Sequence, residues 1–146
     1  MILMILVTAG ALMLFFICTL LFWSQGRLEN YLNHDGDVLK GSVSEITRVK
    51  INGIKQGMII KGKSDQNPVL LFLHGGPGNP EYVLAKNQVT ELEETFTVCW
   101  WEQRGSGMSY TSAAVPKNVT LEEMISDTVE VTNYLRKRFD QDKIYI

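Results

Sequence analysis

The stretch Val69-Leu70-Leu71-Phe72-Leu73-His74-Gly75-Gly76-Pro77-Gly78 decides the fold of this chain. Its first half, residues 69 to 73, is a continuous apolar run, which is typical of a β-strand buried on both faces. Its second half is a glycine-rich loop that leaves the strand directly. Glycine lets the main chain adopt positive φ and approach a bound group closely, and Pro77 stiffens the turn. The pattern predicts a strand whose carboxyl end carries a tight loop.

A β-hairpin is predicted before this strand. Val43 to Ile51 and Ile54 to Lys61 are β-prone runs on either side of Asn52-Gly53. This residue pair accepts positive φ at both central positions of a type I′ turn, the turn that suits a two-residue hairpin loop. We therefore expect the two runs to pair as antiparallel strands.

Further elements of an α/β fold are predicted after the loop. Glu81 to Glu94 has the pattern of a helix, and Phe96 to Trp101 has that of a second buried strand. A strand, a helix and a strand in this order predict two parallel strands joined by a crossover. Thr120 begins another helix, because Glu123 completes a capping box with it. Residues 143 to 146 have the pattern of the first residues of one more buried strand.

The N-terminal segment is strongly apolar. No charged side chain occurs from Ile2 to Trp23, a length that suits a helix crossing a bilayer, and the start of the chain lacks the basic residues of a cleavable signal. We therefore predict a transmembrane anchor over residues 1–24, a linker over 25–42 and the folded domain over 43–146. The predicted localisation is a membrane, with a single span whose orientation is left open because few charges flank it.

Charge and cysteine content exclude several classes of protein. The formal net charge is -2, from 14 basic and 16 acidic side chains, so the chain has no field to attract nucleic acid, and no nucleic-acid partner is expected. Cys18 and Cys99 lie in separate apolar segments, which excludes a disulfide framework. His34 lies in a polar segment without a matching set of metal ligands. We expect no metal and no cofactor.

A second motif follows the second buried strand and reads Trp101-Glu102-Gln103-Arg104-Gly105-Ser106-Gly107-Met108-Ser109. Together with the loop at residues 74–78, it resembles the signature of the prolyl aminopeptidase (proline iminopeptidase) branch of the α/β-hydrolases. The resemblance covers most of residues 43–146, and Glu102 stands where the family more usually has Asp. It implies an α/β chain with the N-terminal portion of an α/β-hydrolase fold, namely the hairpin and the parallel strands with their crossover helices, preceded by the transmembrane helix.

The resemblance also implies roles for the two loops. The loop expected to form an oxyanion hole comprises His74, Gly75, Gly76, Pro77 and Gly78. The loop expected to support it comprises Glu102, Gln103, Arg104 and Gly105. The N–H of Gly76 would stabilise the charge that develops on a carbonyl oxygen under attack, whereas His74 would shape the loop without acting in catalysis. Arg104 either reaches a carboxylate or braces the oxyanion loop, and bracing is favoured.

No catalytic residue is assigned in this chain. Serine hydrolases of this fold carry their nucleophile in Gly-x-Ser-x-Gly, followed by an acid and then a histidine. Neither Ser106 nor Ser109 has that context, so all three groups are expected beyond residue 146, and the chain alone is predicted to be inactive. The complete protein would resemble a serine hydrolase that releases N-terminal residues from peptides, with a peptide or another acyl compound as its substrate.

Two alternatives stay open. The first is an esterase or amidase on the same fold, because the cap that selects the substrate would also lie beyond residue 146. The second belongs to a different class of protein and is a non-catalytic remnant or a membrane-bound interaction module. An in-frame Gly-x-Ser-x-Gly further along the reading frame would favour an enzyme over the second alternative.

Overall fold

A computed structural model of the chain describes residues 2–24, 26, 28–75, 78–86, 91–111 and 119–146. The helices are α1 Ile2–Ser24, α2 Tyr82–Ala85, α3 Leu92–Thr95 and α4 Leu121–Arg138, with a 3-10 turn at Gly107–Ser109. The strands are β1 Val43–Ile51, β2 Ile54–Gly62, β3 Val69–Leu73 and β4 Thr97–Glu102. The strand limits agree with the sequence prediction to within one residue at each end.

The four strands form one mixed sheet in the order β1-β2-β4-β3. β1 pairs with β2, and β2 with β4, in antiparallel fashion. β3 and β4 are parallel, with Val69 opposite Thr97 and Leu73 opposite Trp101. This arrangement confirms the predicted parallel pair, whose two loops therefore leave the same edge of the sheet.

The hairpin between β1 and β2 also agrees with its prediction. Asn52 and Gly53 have φ of 44° and 86°, as a type I′ turn requires at its two central positions. The strands pair residue by residue from Val43 opposite Gly62 to Ile51 opposite Ile54. The turn therefore sets the register of the whole hairpin.

Both faces of the sheet are covered, and consecutive tryptophans of β4 point to opposite faces. Trp101 packs in the cluster that includes Val131 and Leu135 of α4. Its neighbour Trp100 packs in the opposite cluster with Tyr82 of α2. All residues of β4 are buried, as expected for a strand inside an α/β sheet. β4 is thus the central strand of the described core.

Helix α4 begins with the predicted capping box. The hydroxyl of Thr120 accepts a hydrogen bond from the Glu123 N–H at 3.2 Å, and the Glu123 carboxylate accepts one from the Thr120 N–H at 3.1 Å. Acidic side chains lie in the first turn of the helix and basic ones in its last turn, which suits the helix dipole. The cap fixes where α4 starts, and hence which of its residues face the sheet.

The single helix predicted over Glu81 to Glu94 is wrong for the described residues of that range. They form two four-residue helices, α2 and α3, and residues 87–90 lie outside the described part. Tyr82 of α2 and Leu92 of α3 both pack on the cluster around Trp100. Tertiary packing of two separate anchors therefore overrides helix propensity here.

The predicted transmembrane helix is also wrong. Within the described part of the chain, no helix is long and apolar enough to cross a membrane.

The segment predicted as a linker makes contacts with the folded domain. The Tyr31 hydroxyl donates to the carboxylate of Glu93, and the Ser44 hydroxyl donates to the Glu29 carbonyl at 2.8 Å. His34 in this segment is exposed. The domain limits after residues 24 and 42 stay predictions.

The last residues of the chain extend the sheet beside β3. Tyr145 forms a parallel bridge with Leu70. Its N–H donates to the Val69 carbonyl, and its carbonyl accepts from the Leu71 N–H, both at 2.8 Å. The segment predicted to begin one more buried strand thus forms a single parallel bridge at the edge of the sheet, where Tyr145 and Ile146 are exposed.

Candidate functional site

The two sequence motifs meet at one edge of the sheet. Because Leu73 and Trp101 are partners in parallel strands, the loops that start at His74 and at Gln103 leave the sheet side by side. This is the edge at which open α/β sheets bind ligands. Gly76 and Pro77 of the first loop lie outside the described residues, so the predicted donor role of Gly76 stays a prediction.

His74 is held at two points by Gln103. The Gln103 main-chain N–H donates to Nε2 of His74, and the Gln103 side-chain amide donates to the His74 carbonyl, both at 3.2 Å. A backbone N–H can only donate, so Nε2 must accept, and the ring proton lies on Nδ1. His74 is buried to 9% exposure. Its ring is therefore fixed in position and in tautomer by the neighbouring loop.

The hydroxyl of Ser106 lies 3.2 Å from Nε2 of His74, a pair that resembles a nucleophile and its base. The same hydroxyl is closer to the Gln103 carbonyl, to which it donates at 2.7 Å. Since Nε2 already accepts from the Gln103 N–H, this pair lacks the hydrogen bond that activates a serine. The contacts of Ser106 close the turn from Gln103 instead.

Ser109 and Glu102 also bond within the scaffold. The Ser109 hydroxyl donates to the Glu102 carbonyl and accepts from the Gly57 N–H of β2, the latter at 2.7 Å. The Glu102 carboxylate accepts from the Met108 N–H, and a Cβ at Gly107 would come within 2.1 Å of it. These contacts fold the loop after β4 back onto the sheet.

Arg104 points to helix α4. Its Nε lies 2.6 Å from Oδ2 of Asp127, and its Nη2 lies 2.7 Å from Oδ1 of the same carboxylate. Nη1 donates to Glu123 at 2.9 Å. The side chains of Arg104 and Asp127 are 6% and 1% exposed. The hydrogen bond to Asp127 raises the pKa of Arg104, as expected for a two-point ion pair.

Asp127 is the centre of a buried polar network. Besides Arg104, it accepts from the side-chain amides of Gln56 at 2.7 Å and Asn52 at 2.8 Å. Gln56 in turn accepts from the Trp101 indole N–H at 2.9 Å. Burial raises the pKa of the Asp127 carboxyl, but the hydrogen bonds that it accepts lower the pKa more, so the net shift is downward. The network joins the hairpin, β4, the loop after β4 and α4.

No role was predicted for Asp127, although its position in the sequence carries a usable signal. Asp127 lies four residues before Val131 and eight before Leu135, the two buried apolar residues of α4. A carboxylate at that spacing faces the core and must find a partner there. The pattern thus indicates a buried acid, whereas its partner, 23 residues earlier in the chain, is visible only in the fold.

The recess beside His74 is small. Its lining includes Phe72, Glu81, Trp100 and Glu102, and its volume is about 10 Å³, which is enough for about one water molecule. In the described ranges, no cluster of three or more His, Cys, Asp or Glu side chains is arranged to hold a metal ion. This recess is therefore too small to hold a substrate.

Comparisons with known proteins agree with the two motifs. No family model matches the chain. The chain is 40% identical over 107 residues to the protein named Probable aminopeptidase YbaC of Bacillus subtilis, and the match covers 73% of this chain and 34% of that protein. Its fold is similar to the crystal structure of a proline iminopeptidase-related protein of Thermus thermophilus, with a TM-score of 0.56 and 27% identity, covering 70% of this chain and 34% of the other.

The chain thus spans about a third of the length of both relatives. One relative is named as a probable aminopeptidase and the other as related to proline iminopeptidase. Their matched region includes most of the domain in which the two motifs lie side by side. The chain therefore matches a portion of an α/β-hydrolase and resembles the prolyl aminopeptidase branch of that family.

Proposed function

We propose that this chain supplies the oxyanion loop and its supporting loop to a serine hydrolase that releases N-terminal residues from peptides. The observation that carries the proposal is the parallel pairing of β3 with β4, which brings the loops after Leu73 and Glu102 to one edge of the sheet. The similarity to an aminopeptidase over 107 residues supports the same class of substrate.

The chemistry assigned to the first loop is electrostatic. When a nucleophile attacks a peptide carbonyl, the oxygen becomes negatively charged, and a fixed backbone N–H stabilises that charge without reorganising. In our proposal the N–H of Gly76 supplies one such donor, and the residue after the nucleophile supplies the other. His74 holds the entry to the loop, since its ring and its carbonyl both bond to Gln103.

The proposal is tested with a chimera. In the Bacillus subtilis relative, the region that matches this chain over 107 residues is replaced by the matching residues of this chain. Hydrolysis of prolyl- and alanyl-naphthylamides is then compared among the chimera, the parent aminopeptidase and the chain alone. We expect the chimera to work within about tenfold of the parent, a barrier difference of about 1.4 kcal/mol, and the chain alone to be inactive.

A folded chimera without hydrolysis would contradict the proposal, because the loops of this chain would then be unfit for the reaction. Circular dichroism and a cooperative thermal transition establish that the chimera is folded. Activity of the chain alone would contradict the assignment of the catalytic groups to another part of the enzyme.

A further inference from the structure

We infer that Asp127 and Arg104 are positioning residues for the oxyanion loop: they fix Gln103, which in turn fixes the ring and carbonyl of His74. The catalytic role of these two residues rests on the proposed function. The structural relay itself, from Asp127 through Arg104 and Gln103 to His74, involves only described contacts.

The relay begins at a saturated carboxylate. Asp127 accepts from two donors on each oxygen: Arg104 and Gln56 on Oδ2, and Arg104 and Asn52 on Oδ1. A buried ionised group is stable only when its lone pairs are satisfied in this way. Asp127 therefore has a single orientation, which is set by the sheet as well as by α4.

The two hydrogen bonds between the Arg104 guanidinium and Asp127 fix the loop after β4 relative to α4. The guanidinium is planar and bonds at two points, so its position and its tilt are both fixed. The main chain at Arg104 lies inside the turn that the Ser106 N–H closes on the Gln103 carbonyl at 3.0 Å. Fixing Arg104 therefore fixes the direction in which the Gln103 N–H points.

Gln103 then holds His74 from two sides. Its N–H donates to the ring and its side-chain amide donates to the carbonyl, so the side chain and the main chain of His74 are set together. The next residue, Gly75, is the first glycine of the oxyanion loop, and its N–H contacts the Glu81 carboxylate at 3.4 Å. The path of the chain into the loop thus depends on the relay.

Binding of an anionic substrate by Arg104 is the competing role, and the charges oppose it. Three of its five N–H donors are already used by Asp127 and Glu123. The two carboxylates outnumber the single guanidinium, and the Arg104 side chain is 6% exposed. No net positive charge is left to attract a carboxylate ligand.

The test reads His74 directly in the full chain. Histidine is labelled with ¹⁵N, and long-range ¹⁵N–¹H spectra report which ring nitrogen carries the proton; a His34→Gln variant separates the two histidines of the sequence. In the unmodified chain we expect a single Nδ1–H tautomer. In Arg104→Gln we expect the ¹⁵N chemical shifts of Nδ1 and Nε2 of His74 to move toward each other. The ring then loses its fixed hydrogen bond from the Gln103 N–H and exchanges between its two tautomers.

Three further variants separate positioning from general destabilisation. Arg104→Lys keeps the charge but cannot form the fork, so it is expected to release His74 as well. Gln103→Ala keeps the ion pair and the main-chain N–H that donates to the ring, and it removes only the amide contact to the His74 carbonyl, so the Nδ1–H tautomer is expected to persist. Arg138→Gln is the matched control: it removes another arginine pair, with Glu45, that also joins α4 to the sheet, and it should leave His74 unchanged.

Unchanged His74 signals in Arg104→Gln would overturn the inference, as would loss of the Nδ1–H tautomer in Gln103→Ala or a shift in Arg138→Gln equal to that in Arg104→Gln. The same substitution in the chimera gives a second readout: Arg104→Gln should lower kcat by roughly a hundredfold, the effect of misplacing a catalytic donor by about 1 Å, with KM nearly unchanged. A rise in KM alone would instead show substrate binding by Arg104 and overturn the inference. Because the spectra need no activity, an inactive chimera with an intact His74 signature would refute the proposed function and leave the relay standing.

Discussion

The guanidinium of Arg104 and the carboxylate of Asp127 form a two-point ion pair between the loop after β4 and helix α4, with N–O distances of 2.6 and 2.7 Å. Both side chains are almost completely buried. Breaking a buried pair leaves an unpaired charge in the interior. The loop and the helix are therefore expected to depend on each other for their stability.

Asp127→Asn is expected to lower the free energy of unfolding by about 3–5 kcal/mol, because it removes the buried charge that the Arg104 guanidinium contacts at two points and leaves only the partly exposed Glu123 as its charge partner. Glu123→Gln is the matched control, since Glu123 pairs with the same guanidinium but is 40% exposed. Its loss should be below about 1 kcal/mol. Urea unfolding measures the free energy of unfolding of both variants. An equal decrease in the two would contradict the role of Asp127 as the buried partner that stabilises Arg104.

The contribution of Asp127 to stability is expected to decrease in acid. The pKa of its carboxyl in the folded chain lies below the ordinary value of 3.8, so folding favours the ionised form. Its contribution is therefore complete above that ordinary value and is lost as the pH falls through the folded-state pKa. The free energy of unfolding of the unmodified chain minus that of Asp127→Asn should be constant near neutral pH and shrink below about pH 4. A difference that grows in acid would show the opposite sign of the shift.

Gly107→Ala is expected to destabilise the loop after β4 more than Gly105→Ala does. Both glycines have positive φ, +42° and +79°, a region that costs an alanine about 1–2 kcal/mol. A Cβ at Gly105 meets nothing within 4 Å, whereas one at Gly107 lies 2.1 Å from the buried carboxylate of Glu102. The clash should add about 1–3 kcal/mol. Thermal unfolding compares the two variants, and equal midpoints would show that Glu102 moves away without cost.

The strands were predictable because each rested on a local pattern. The run Val69 to Leu73 is apolar throughout, and Asn52-Gly53 is the pair that a type I′ turn requires. The capping box of Thr120 and Glu123 is equally local. These features need no knowledge of distant contacts, and the structure reproduces them.

The features that sequence reasoning missed depend on tertiary contacts. Tyr82 of α2 and Leu92 of α3 pack around Trp100, a contact that helical periodicity in the sequence does not report. The partner of Asp127 is Arg104, which lies beside α4 because β4, the strand before its loop, packs against that helix. The apolar composition of α1 predicted a membrane span that the described part of that helix does not provide.

The kcat of the chimera after Gly76→Pro measures the central claim most directly, because proline removes the backbone N–H that is proposed to bind the oxyanion. Gly76→Ala is the control, since it alters the same residue and keeps that N–H. Loss of one such donor is expected to lower kcat by roughly a hundredfold to a thousandfold in Gly76→Pro, with a much smaller effect in Gly76→Ala. A folded Gly76→Pro chimera that keeps the kcat of the Gly76→Ala chimera would contradict the assignment of this loop to the oxyanion hole.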